Sequence, residues 1–219
     1  MQLFILFRSN YIAGMLQQLI KDCKKGKSKA QLKLYIDYAP MLRGLCRRYM
    51  QNPEEAEDLL QDGFFKIFSN IKSFKGEGSF EGWMKRIIIN TAIKELEKKG
   101  HIIRNNDIER LSIIDETDDT DNDIVFKILD DGLLSQQEII DAVNSLQEDY
   151  RIVFNLFIFE NYKHKEIAEM LNIKESTSKS KVLRARKMLQ GNLLEIIKEK
   201  EKKAFISKNK SFISNNKNN

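Results

Sequence analysis

Histidine, proline, cysteine and tryptophan are nearly missing from this chain of 219 residues, which has two, two, two and one of them respectively. The two cysteines, Cys23 and Cys46, have no CxxC spacing and no neighbouring histidine. That excludes a disulfide framework and a thiolate zinc site, and fits a reducing cytoplasm. His101 and His164 stand far apart in sequence, so no metal-ligand spacing exists and no metal or cofactor is expected. Phosphate-cradling GxxxxGK[ST], the GxSxG elbow and the HExxH zinc motif are absent, which leaves an enzyme reading without footing. Long apolar runs are lacking too. The opening MQLFILF stops at Arg8, too short for a signal core or a membrane span, so no membrane insertion is expected; Met15 is a second candidate translation start.

What the chain has in quantity is charge, 32% of its residues, unevenly placed. Residues 1–104 carry 19 Lys/Arg against 11 Asp/Glu, residues 105–149 carry 2 against 14, and residues 150–219 carry 16 against 7. Two basic blocks separated by an acidic one point to two modules that face a polyanion and a linker that avoids it.

Periodicity is helical throughout, and no segment alternates as a strand would. Leu32, Tyr35, Tyr38, Leu42, Leu45 and Tyr49 form one stripe, with Pro40 marking a break or kink. Asn52-Pro53-Glu54-Glu55 is a helix start: an N-cap, a proline at the first helical position and an acid to close a capping box. The helix that follows buries Ala56, Leu60, Phe64, Ile67 and Ile71, and shows an acidic ridge of Glu55, Asp58, Gln61 and Asp62. Another helix from about Ser79 to Lys99 has Phe80, Met84, Ile87 and Thr91 as its inner stripe, while Trp83, one turn before Ile87, reads as core. Between them FKGEGSFEGWMKR crowds glycines beside aromatics, a composition that ordinary core packing does not need.

The expected fold is therefore all-α: two small helical domains joined by a flexible acidic linker. Boundaries fall at 1–28 (an N-terminal extension and first helix), 29–103 (first domain), 104–134 (linker), 135–198 (second domain, opened by a Ser135/Glu138 capping box) and 199–219 (a disordered basic tail). In the second domain, Ile167, Ala168, Met170 and Leu171 line a short helix, Asn172 suits a sharp left-handed turn, and Ile173 plugs it. A second helix then turns Val182, Leu183, Ala185 and Leu189 inward. It presents Lys179, Lys181, Arg184, Arg186 and Lys187 outward, after Glu175, Ser176, Thr177 and Ser178. Polar residues at the start of a helix and long cations along its flank are what base edges and phosphates require.

EIAEMLNI followed by STSKSKVLRARKML resembles the promoter-reading helix-turn-helix of bacterial sigma factors, and NPEEAEDLLQDGFFKIFSNIKSFKGEGSFEGWMKRIIINTAIKELEKK resembles their other conserved module. Two modules and a short linker match the extracytoplasmic-function (ECF) group, over 127 of the 219 residues. The resemblance implies that Glu55, Asp58, Leu59, Gln61, Asp62 and Phe65 meet the clamp helices of the RNA polymerase largest subunit, with the flap as a second core contact. It implies that Phe74, Lys75, Gly76, Glu77, Gly78, Ser79 and Phe80, with Asn90, melt the −10 element and hold a flipped base, while Lys85, Arg86 and Lys94 track phosphates. It implies that Lys174, Glu175, Ser176, Thr177, Ser178, Lys179 and Lys181 face the −35 element and that Arg184 and Arg186 face its backbone. An anti-sigma factor is a further implied partner. The alternative is a helix-turn-helix regulator that acts without being a polymerase subunit. Two departures stand out: Lys94, Glu95, Glu97 and Lys98 stand where an aspartate and then an arginine pair are common after the asparagine, and Lys174-Glu175-Ser176-Thr177 replaces a Ser-x-Gly-Thr start.

Overall fold

A computed structural model of the chain describes residues 14–100 and 132–215. These fall into two separate units, and no strand occurs among the described residues. The linker expected at 104–134 lies almost wholly outside them.

The first unit is a helical bundle of α1 (residues 14–24), α2 (Ser28–Tyr49), α3 (Pro53–Asn70) and α4 (Phe80–Lys98). Proline does not break α2. Pro40 lies within a continuous helix of 22 residues, exposed to solvent, so of the expected break or kink the break is absent. Asn52 caps α3 as the sequence indicates, its side chain accepting the Glu54 N–H at 2.8 Å. The Glu55 carboxylate instead reaches Lys99, 2.7 Å away, and links the start of α3 to the end of α4.

Ala56, Leu60, Phe64, Ile67 and Ile71 are all buried, as are Leu42, Leu45 and Tyr49 of α2 and Met84, Ile88 and Ala92 of α4, and α3 packs on both helices. The inner stripe of α4 differs from the expected one. Ile87 is half-buried, whereas Ile88 and Ile89 are sealed. Gly63 explains the close approach of α3 and α4, since a Cβ there would collide with the Ile88 side chain.

The second unit contains α5 (Gln136–Asn144), α6 (Glu148–Phe154), α7 (His164–Leu171) and α8 (Glu175–Asn215). Leu134, Val143, Leu146, Phe154, Ala185, Leu189 and Leu193 form its core. The Ser135/Glu138 capping box is present, with the Glu138 carboxylate accepting the Ser135 N–H at 2.7 Å. A π-helical turn, Asn155–Phe159, follows α6. Between α7 and α8, Asn172 adopts φ 51° and ψ 50°, the left-handed conformation that ends a helix and reverses the chain, and the Ile173 N–H returns to Ala168 O at 3.0 Å. Where a disordered tail was expected after residue 198, α8 continues as helix to Asn215. Near residue 198, Lys200 links α8 to the start of α5, its Nζ 3.1 Å from Leu133 O and 2.8 Å from Glu138 Oε2.

Candidate nucleic-acid and polymerase interfaces

A short 3-10 turn, Ile71–Ser73, ends α3 and delivers the chain into the glycine-rich stretch. Gly76 and Gly78 have φ of +83° and +82°, a region closed to most side-chain-bearing residues. Ser79 then caps α4 by accepting the Gly82 N–H at 3.3 Å. Lys75, Gly76, Glu77, Gly78 and Ser79 are all exposed, so the backbone and side-chain polar groups of the loop face solvent.

The two phenylalanines do not. Phe74 and Phe80 are only 8% and 4% exposed. Their rings lie 5.0 Å apart, and Trp83 packs 5.5 Å from each, nearly parallel to Phe80 at 18°. The expectation of open aromatic faces is corrected for both: they spend their faces on one another and on Trp83, and close the base of the loop. Trp83 sits with the packed residues, half-buried.

On α4, Arg86, Asn90 and Lys94 are exposed at four-residue spacing and so form one row along the helix. Lys85, one position before Arg86, lies off that row; it is half-buried and pairs with Glu81 at 2.9 Å.

The acidic ridge of α3 is present in most of its members. Asp58, Gln61 and Asp62 are exposed, and Phe65 projects among them with 74% of its surface in solvent. Leu59 is corrected. At 3% exposure it belongs to the core, because its position on α3 falls on the inner face beside Leu60 and Gly63. Glu55 stands at the edge of the ridge, engaged by Lys99.

In the second unit the start of α8 divides the expected DNA-facing residues. Lys174, Glu175, Ser176 and Lys179 are exposed, Thr177 is half-buried, and Glu175 pairs with Lys179 at 3.1 Å. Ser178 and Lys181 point inward and are corrected. Ser178 is sealed, its Oγ 3.0 Å from His164 Nδ1, and Lys181 is 3% exposed with its Nζ 3.1 Å from Asp149 Oδ2. Both fall on the same side as Val182 and Ala185, one helical turn along.

Arg184 and Arg186 are half-buried, and the Arg186 guanidinium lies 5.5 Å over the Phe157 ring. Phe157 is stacked in turn on His164, 4.3 Å away at 13°. Partial burial holds the His164 imidazole below its usual pKa, and Lys179 and Arg186 add to this while Glu175 opposes it. From the sequence alone, His164 is weighed only as a metal ligand and Asp149 and Phe157 are given no role at this surface, because their contacts come from separate helices.

The family model described as Sigma-70 region 2 matches residues 34–102, and that described as Sigma-70, region 4 matches residues 136–189, in the same order and on the same two units. The chain belongs to the sigma-70 family of sigma factors. As such it directs transcription initiation.

This sigma factor is similar to the ECF RNA polymerase sigma-E factor of Haemophilus influenzae, with 28% identity over 185 residues, 81% of this chain and 94% of the relative. It is similar to the RNA polymerase sigma-H factor of Pseudomonas aeruginosa, with 26% identity over 189 residues, 84% of this chain and 96% of the relative. Among solved structures, the sigma factor RpoE in complex with the anti-sigma factor NepR from Bartonella quintana is 24% identical, with a TM-score of 0.47 over 75% of this chain and 96% of that one. No described helix is long and apolar enough to cross a membrane.

Proposed function

We propose that this sigma factor binds RNA polymerase core through α3, reads the −35 element with the first turns of α8, and opens the −10 element at the loop 75–79. The observation that carries this reading is the exposed row Arg86, Asn90 and Lys94 beside an exposed loop with two left-handed glycines. Cations in that row follow phosphates, while the Asn90 amide offers a donor and an acceptor to a base edge.

Flipping a base out of a duplex costs a few kcal/mol. Aromatic stacking would return ~1–3 kcal/mol, but Phe74 and Phe80 have no free face. Capture therefore falls to hydrogen bonds from the loop backbone and Asn90. At the −35 element, Lys174, Glu175, Ser176, Thr177 and Lys179 would meet base edges, with Arg184 and Arg186 toward the phosphates. Core would meet Asp58, Gln61, Asp62 and Phe65 with its basic clamp helices, and its flap would meet the second unit. Action in the cytoplasm and an anti-sigma factor as a further partner belong to the same reading.

Purified core tests it. Added to core, the full chain should co-elute with it and give promoter-specific starts. A chain that binds DNA but neither joins core nor redirects initiation would be a polymerase-independent regulator.

A further inference from the structure

Lys24 closes α1, half-buried, 50 residues before the loop it touches. Its Nζ donates to Phe74 O at 2.6 Å and stands 6.0 Å from the centre of the Phe74 ring. That carbonyl is where the chain leaves the 3-10 turn, whose last bond is Phe74 N–H to Ile71 O at 3.2 Å, and enters the exposed loop. An ammonium–carbonyl bond of this length is charge-assisted and among the stronger ones available to a side chain.

The far end of the loop is held differently. Ser79 caps α4, and the Phe80 ring packs on Phe74. The segment between, Lys75 to Gly78, has two glycines that by themselves widen the range of backbone conformations.

We infer that Lys24 is a positioning residue for strand opening: it fixes the upstream anchor of the loop 75–79, so that the loop's polar groups meet the flipped base with their geometry set in advance. The inference rests on the reading of that loop as the −10 contact. Preorganised donors avoid the ordering cost that a free loop would incur on binding. The first helix of the unit thereby acts on promoter opening without touching DNA.

The test uses the full chain, core polymerase and a promoter mapped from transcript starts. In Lys24→Met, exchange of the Phe74 amide, whose N–H is bonded to Ile71 O at the loop's anchor, should quicken about tenfold, the size expected on losing a charge-assisted hydrogen bond. Permanganate-detected opening of the −10 element should slow by about the same factor, with core affinity unchanged. Lys24→Arg, which keeps a cationic donor, should restore both, and Lys24→Gln, a donor of shorter reach, should not.

Wild-type exchange of the Phe74 amide in Lys24→Met overturns the inference, even if opening slows, because Lys24 would then act as a plain cation toward DNA. Faster exchange with normal opening also overturns it, provided that Gly78→Ala does slow opening. If neither variant affects opening, the reading of the loop as the −10 contact has failed, and the role of Lys24 in opening falls with it.

Discussion

Lys181 and Asp149 form an ion pair of 3.1 Å in which the two side chains are only 4% and 16% exposed. It ties α8 to α6 behind the helix-turn-helix. Asp149→Ala strands the ammonium and should cost about 3–5 kcal/mol. The expected signature is a second-unit transition, followed by far-UV circular dichroism in urea, that moves to lower denaturant. Trp83 fluorescence, which reports the first unit, should not shift. A loss under about 1 kcal/mol would show the pair to be screened by water.

Gly78, at φ +82°, has open space where a Cβ would go, so a substitution there strains the backbone without a clash. Gly78→Ala should cost about 1 kcal/mol of local stability and slow −10 opening while core affinity stays the same. Gly63 is the contrast. Added bulk there meets the sealed Ile88 side chain, so Gly63→Val should lower the Trp83 midpoint by about 1–3 kcal/mol of overpacking. Equal effects on both assays from both variants would erase this distinction.

Phe65 exposes 74% of its surface in the acidic ridge, and such a side chain adds nothing to the core of its own unit. Phe65→Ala should leave the unfolding midpoint unchanged and weaken core binding about tenfold or more, as buried aromatic anchors do at interfaces. Asp58→Lys should weaken it as well, and more so at low salt. Titrating labelled core with each variant checks this, and unaltered affinities would remove the ridge from the interface.

Glu138 accepts from Lys200 Nζ first of all, then from the Ser135 N–H and hydroxyl, and its pKa is held down at about 2. A carboxylate depressed on folding contributes stability above its unfolded pKa of about 4.3, lost as pH falls toward the folded value. The second unit should therefore lose stability between about pH 5 and pH 2, and Glu138→Gln should flatten that loss. Melts followed by circular dichroism over this range check it, with Trp83 fluorescence as the control for the first unit. An acid limb unchanged by the substitution would show Lys200 and Ser135 to be indifferent to the charge.

Patterns that repeat within a helix were legible in the sequence. Ala56, Leu60, Phe64, Ile67 and Ile71 share one face by spacing alone, and all five are buried. Asn172 at a break between two amphipathic helices could be read as a left-handed turn before any coordinates existed. Facing was harder at the borders of a stripe. Leu59, Ser178 and Lys181 sit about 100° from residues that were correctly assigned, and which way they turn depends on the neighbouring helix. A lysine in a basic helix reads as a phosphate contact until an aspartate from another helix claims it.

The sequence by itself determined the helices, their caps, the turn of the helix-turn-helix and the order of the two modules, because each depends on residues within a few positions of one another. Tertiary structure decided what the glycine-rich stretch offers. Phe74, Phe80 and Trp83 meet by folding and leave the loop, not the rings, to face outward. Lys24 reaches Phe74 O across 50 residues, a contact that no local periodicity encodes. Packing between distant segments chooses which of several suitable side chains remain available to a partner, and that choice is made only once the bundle has closed.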